Sequence, residues 1–213
     1  MFRNLIVLML SAAAVVAGVM LYLLWQHKPL PEQALVYPQP RNLTEFTLLD
    51  QDSKPRGRAD LMDKWTLAFV GYTFCPDICP LTLAKLAGVQ QELAATVEQP
   101  LQIWFISVDP QRDTPEQLKQ YVDYFNQPAL TGLTAGHDQL FPFVRELGLM
   151  YAMSSTTEQD YLVDHSASVV LINPQGQVAA MFKPDMLPGE VPLVNRERLL
   201  SDFPLVLNQL QRN

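Results

Sequence analysis

An α/β domain with a mixed sheet, carried behind one N-terminal transmembrane helix, is the architecture this 213-residue sequence predicts. Three observations predict it. Residues 5–25, LIVLMLSAAAVVAGVMLYLLW, run 21 positions without a charge. Two apolar runs rich in β-formers, WTLAFVGYT (65–73) and LQIWFISVD (101–109), are each followed by a segment whose apolar residues recur at helical spacing. A third run, SASVVLINPQGQVAAMF (166–182), is broken by an Asn-Pro-x-Gly turn, as a β-hairpin is. Strands alternating with helices call for parallel central strands joined by crossovers, and the hairpin adds an antiparallel edge.

The N-terminal run comes first. At 1.5 Å rise per residue it makes a helix of about 30 Å, the thickness of a bilayer's hydrocarbon core. Tyr22 and Trp25 fall near one end, where amphipathic rings favour the membrane interface. A cleaved signal peptide is the competing reading, but its apolar core ordinarily runs about 7–15 residues. The stretch here is longer, and WQHKPLPEQ after it offers no small-x-small cleavage site. Residues 1–28 are therefore expected to be an uncleaved anchor. The amino terminus and Arg3 on one side face His27 and Lys28 on the other, so the charge bias is slight. The short N-terminal tail favours placing the domain across a bacterial inner membrane, on the oxidising periplasmic side. Residues 29–41 hold Pro29, Pro31, Pro38 and Pro40 and read as an extended linker of about 3.1 Å per residue. Residues 42–213 then form the soluble domain.

Composition narrows what that domain does. The chain is 48% hydrophobic and 17% charged, which excludes disorder for most of it. Beyond residue 29 there are 13 basic and 22 acidic residues, a net charge of −9. A body that acidic lacks the footprint for nucleic-acid phosphates. Two cysteines cannot build a disulfide-dense scaffold, so their spacing carries the information.

Along the domain, residues 46–64 read as a short strand, a polar turn and a second short element. Residues 65–73 form a buried central strand, and a helix over 81–97 follows with Pro80 in its first turn. Residues 101–109 make a second buried strand. Thr114-Pro115 opens a helix over 116–127, residues 129–136 read as a loop or short strand, and 137–149 as a helix with Pro142 in its first turns. The hairpin over 166–182 and a closing helix over 196–210 complete the order. That order, with a strand-to-helix turn carrying a cysteine pair, is thioredoxin-like.

The chemistry concentrates in GYTFCPDICP, where Cys75 and Cys79 sit at the junction of the first buried strand and its helix. In a helical turn, residues four apart share a face, so two sulfurs can converge on one point; in a loop they can close a disulfide. The positive end of the helix dipole favours thiolate over thiol, and thiolate is both the nucleophile and the soft-metal ligand. The mouth of the strands is also where open α/β sheets place their ligand sites. Asp77 between the cysteines would oppose thiolate formation if it pointed inward and is expected to face solvent. His165 lies in YLVDHSASVVLI, directly before the third apolar strand, with Asp164 beside it as a partner for its ring. From the residues alone, redox chemistry and metal binding both stay open.

GYTFCPDICPLTLAKL, ISVDPQRDTPEQLKQYV and YLVDHSASVVLINPQG together resemble the Sco/SenC family of membrane-anchored, thioredoxin-like copper proteins. The resemblance implies that Cys75, Cys79 and His165 are ligands for copper, as Cu(I) or Cu(II). It implies a role in assembling the copper centre of cytochrome c oxidase, with subunit II or a similar acceptor, a copper donor and a thiol reductant as partners. Two thiolates and an imidazole suit Cu(I), whereas structural zinc wants four protein ligands. The alternative is a thiol–disulfide oxidoreductase working through Cys75 and Cys79. Against it, the cysteine spacing is one residue longer than C-x-x-C, and no proline precedes the strand after His165. A peroxidase needs an arginine beside its cysteine, and the local sequence supplies none. Asp109, Arg112, Asp113 and Thr114 form the DPQRDTP turn, in which Asp113 or Thr114 is expected to cap the next helix rather than the turn to contact a partner or shape the site. Met150, Met153, Met181 and Met186 are irregularly spaced and read as packing residues.

Overall fold

The computed structural model describes residues 2–26, 29–154 and 161–212 and divides into two units, residues 1–30 and 31–213. The first is helix α1 (Phe2–Gln26), long and apolar enough over Phe2–Leu23 to cross a membrane. The side chain of Trp25 and the positions of His27 and Lys28 lie outside the described residues.

The second unit is built on an eight-stranded sheet. Its parallel heart is β4 (Trp65–Gly71), β5 (Leu101–Ser107) and β6 (Leu130–Thr134), joined by α2 (Ile78–Ala94) and α3 (Pro115–Asp123). Leu67, Ala68, Phe69 and Val70 in β4 and Ile103, Phe105 and Ile106 in β5 are fully buried. That explains why both strands read as unbroken apolar runs rather than alternating ones. The hairpin strands β9 (Val169–Ile172) and β10 (Gln177–Phe182) add antiparallel to β4, with Gly176 in the left-handed region at φ 69 to close the turn. On the other side of the heart, β2 (Leu48–Asp50) and β3 (Pro55–Arg56) finish the sheet beyond β6. Helix α4 (His137–Glu146) and the closing α5 (Arg196–Leu210) complete a mixed sheet flanked by helices, the expected class.

Three expectations are corrected. The proline-rich stretch is not linker throughout: Ala34–Asn42 is strand β1, paired antiparallel to β10 at the sheet edge. Its register shifts between Val36 and Arg41, so Pro38 and Pro40 fall in the irregularity, where the missing N–H groups break no ladder bond. Helix α2 starts three residues before the expected 81, because Pro80 sits at its third position, where the helix has no bond to make, and Cys79 is thereby inside its first turn. Helix α3 stops at Asp123, with Asn126 in the left-handed region at φ 45 just beyond it. Two strands were not anticipated: β7 (Tyr151–Met153) and β8 (Val163–His165) pair antiparallel as a separate ribbon. At three residues each they are too short for a period to register.

The start of β1 is held by one carboxylate. Asp202 of α5, 1% exposed, accepts hydrogen bonds from the backbone N–H groups of Glu32 (3.0 Å), Gln33 (2.8 Å) and Ala34 (3.1 Å). Asp202→Ala is expected to destabilise the domain by about 1–3 kcal/mol, the cost of orphaning buried polar groups. It would appear as a lower urea midpoint with an unchanged slope. A midpoint indistinguishable from the parent's would contradict this reading.

Candidate metal centre

Strand β4 ends at Gly71 and the chain turns through Tyr72–Asp77 into α2. Cys75 lies in that turn, half-buried, and Cys79 is fully buried one helical turn later. The backbone N–H of Cys79 donates to the Cys75 sulfur at 3.4 Å, and both residues are free thiols. Cys79 fits only because residue 71 is glycine. A Cβ there would stand 2.6 Å from the Cys79 Sγ and 2.9 Å from the ring of Phe105. Asp77 is exposed, as expected.

His165 arrives from the other side. It is the last residue of β8, directly across the ribbon from Tyr151, and its Nε2 stands 3.2 Å from the Cys79 Sγ. The ring is seated edge-on to Phe69 and Tyr72, with centroids 5.9 and 6.0 Å away. Its Nδ1 lies 3.2 Å from the carbonyl oxygen of Ser166. A carbonyl only accepts, so Nδ1 carries a proton and it is Nε2 that faces the sulfurs. The partner that sets the tautomer is thus this carbonyl, and Asp164, expected to serve, is exposed. One ligand atom each from Cys75, Cys79 and His165 lie within 4.8 Å of one another. The cleft beside them is lined by Tyr72, Pro76, Ile78, Leu162 and Asp164.

The two thiols are electrostatically unlike. A hydrogen bond from Cys79 pulls the Cys75 pKa down to about 4; burial opposes it, and His165 and the backbone N–H groups of Cys79 and Asp77 assist. Burial pushes the Cys79 pKa up, and the neighbouring Cys75 thiolate adds to it. The two shifts run in opposite directions, favouring thiolate at Cys75 and thiol at Cys79.

Sequence reasoning set the turn over 109–114 aside as a helix cap. Thr114 does cap α3, accepting from the Gln117 N–H at 3.3 Å. Asp113 does something else: it is 1% exposed and bonds Thr73, two residues before Cys75. Arg112, far from the cysteines in sequence, stacks its guanidinium 3.7 Å over the Tyr161 ring and lies 5.0 Å from the ring of Phe74 and 5.6 Å from that of Tyr72. An arginine is therefore close to the cysteine turn after all, ion-paired to Asp109, which also accepts from the Tyr161 hydroxyl. The alternating charges of DPQRDTP were the available signal, but its partners lie 40 or more residues away in sequence. Of the methionines, Met181 is buried, whereas Met150 is 73% exposed and lines a cleft with His165. His137, at the start of α4, bonds the Tyr151 hydroxyl at 2.9 Å.

Two sulfurs and one imidazole nitrogen, open on one side, are a soft low-coordinate donor set that fits copper better than structural zinc. Comparison with known proteins points the same way. A sequence-family model described as SCO1/SenC matches residues 37–194. A putative copper-binding protein of Stutzerimonas stutzeri is 36% identical over 169 residues, 77% of this chain and 82% of the relative. The mitochondrial SCO2 homolog of Mus musculus is 42% identical over 134 residues, 62% of this chain; the matched region is about half of that relative's length, 52%. The crystal structure of Arabidopsis thaliana ScoI with copper bound superposes at a TM-score of 0.65, with 32% identity, covering 78% of this chain and 98% of that one. The domain has the thioredoxin-like fold of these structures.

The unlike thiols generate a labelling test. In the reduced full chain at about pH 6, iodoacetamide is expected to alkylate Cys75 and leave Cys79 untouched, because only Cys75 is thiolate there. The Cys75 pKa is depressed, so its labelling rate is expected to stay flat as pH falls and drop only towards about 4. Mass spectrometry of the peptide over 75–79 reads the site; faster labelling of Cys79 would contradict the assignment.

Proposed function

The chain belongs to the SCO1/SenC family, and on that premise we propose that it is a membrane-anchored copper carrier that assists assembly of the copper centre of cytochrome c oxidase. Copper is its cargo, held by Cys75, Cys79 and His165. The observation that carries the reading is the meeting of those three donor atoms, from two distant parts of the chain, with Nε2 turned to the sulfurs. Residues 1–28 serve as the anchor in the inner membrane, and the domain faces the periplasm. The acceptor is subunit II of the oxidase or a similar copper protein, with a copper donor and a thiol reductant acting before it.

The chemistry of transfer follows from the donor set. Loading releases the Cys79 thiol proton, and unloading takes it back, so transfer is coupled to local proton movement. A low coordination number leaves a side on which an incoming acceptor thiolate can bind before a ligand of this chain departs. His165 is the natural ligand to leave first. It is half-buried on a short ribbon outside the main sheet, whereas Cys79 is fixed in the core. The acidic body, net −9 beyond residue 29, suits donor and acceptor surfaces that are basic.

A second reading is favoured by the asymmetry of the thiols. Cys75 as thiolate and Cys79 as thiol are the attacking and resolving halves of a disulfide reductase. Cys75 would attack a partner disulfide, form a mixed disulfide and release one partner thiolate; Cys79 would then displace the second, leaving the Cys75–Cys79 disulfide.

Anaerobic copper titration of the reduced full chain in detergent separates the two. The carrier reading expects one tight equivalent of Cu(I), weakened at least about a hundredfold in Cys75→Ser, Cys79→Ser and His165→Ala alike, since losing a ligand costs no less than losing its support. Weak copper binding that ignores His165→Ala would leave only a dithiol, and the reductase would take its place.

A further inference from the structure

We propose that Asp113 is a positioning residue for the copper site, and that its buried carboxylate tilts the site toward holding Cu(II) over Cu(I). The inference rests on the copper-carrier reading above. It starts from what the carboxylate bonds: the Thr73 N–H at 2.8 Å, the Thr73 hydroxyl at 2.6 Å and the Ser107 hydroxyl at 2.5 Å. Ser107 is the last residue of β5 and stands opposite Gly71 in the parallel ladder. One side chain thus pins the first residues of the cysteine turn to the end of the strand pair beneath it. The position of Cys75 is set by a residue 38 places away in sequence.

The same group is a charge. All three partners are neutral donors, and the guanidinium next to it in sequence is ion-paired to Asp109 instead. Burial pushes the Asp113 pKa up, and the Ser107 and Thr73 bonds pull against it. The nearby Asp109 charge also raises it, whereas the Thr73 N–H can only donate and, with the two hydroxyls donating beside it, favours the ionised form. Two thiolates and a neutral imidazole make a site of zero net charge around Cu(II) and of one negative charge around Cu(I). The two states differ by one electron, Cu(II) + e⁻ → Cu(I), and a fixed negative charge in a poorly screened interior disfavours the state that gains it. Asp113 itself touches no copper; it acts through Thr73 and through its field.

The test compares the parent with Asp113→Asn, full chain in detergent, at mildly alkaline pH. The asparagine amide can occupy the same place, its oxygen accepting from the Thr73 N–H and the Ser107 hydroxyl and its NH2 donating to the Thr73 hydroxyl, so it removes charge while keeping shape. Affinities for Cu(I) and Cu(II) are measured separately by competition with chelators, and the potential of bound copper with an electrode mediator. The ratio of Cu(II) to Cu(I) affinity is expected to fall about tenfold, a rise of about 59 mV for one electron. Ser107→Ala loosens the turn but keeps the charge, and is expected to leave the ratio at the parent's value. Equal weakening of both oxidation states in Asp113→Asn, no change in it, or a shifted ratio in Ser107→Ala would overturn the proposal while leaving the carrier intact. A parent that binds neither ion would overturn both.

Discussion

The site depends on one close approach. The Cys79 sulfur is packed so near the end of β4 that a methyl group at residue 71 would overlap it at 2.6 Å. That contact decides the rest. It buries Cys79, which favours its thiol, and it leaves Cys75 half-buried as the partner that favours thiolate. It also brings the buried sulfur to the place where the imidazole of His165 meets it at 3.2 Å. Protein interiors transmit such constraints because they are packed near crystal density, with no slack to absorb a displaced sulfur.

Around that contact the fold divides its labour. The parallel strands β4 and β5 form a fully buried platform, and the cysteine turn is mounted on its end. The β7–β8 ribbon, separate from the main sheet, delivers the histidine. The turn between β5 and α3 fastens both: Asp113 ties it to the cysteine turn, and Asp109 with Arg112 ties it to Tyr161, four residues before His165. A site whose ligands come from two segments can release the one on the ribbon while the cysteine turn stays in place, which is what a carrier needs and a structural metal site avoids. A permanent site gains by closing its coordination shell; this one keeps a side open.

Much of this was legible in the sequence, and the limits have physical causes. β4, β5 and the hairpin announced themselves because their burial on both faces makes unbroken apolar runs. The cysteine pair and His165 were legible as motifs, but their meeting was not, because the strand that carries His165 is three residues long and pairs with another just as short. β1 was hidden by its prolines, which mark an extended segment equally well whether it is paired or solvated; the pairing depends on Asp202, about 170 residues away in the chain. In the sequence Asp113 and Thr114 are equal candidates for the cap, and Thr114 takes that role. The real partners of Asp113, Thr73 and Ser107, are brought to it only by the parallel register of β4 and β5.

The most direct measurement is copper K-edge X-ray absorption on the full chain loaded with one equivalent of Cu(I). Two sulfur scatterers and one imidazole nitrogen are expected, with the nitrogen contribution lost in His165→Ala. Three or four sulfurs, which this chain's two cysteines can supply only by sharing copper between copies, would contradict the account, as would a shell of nitrogen and oxygen alone.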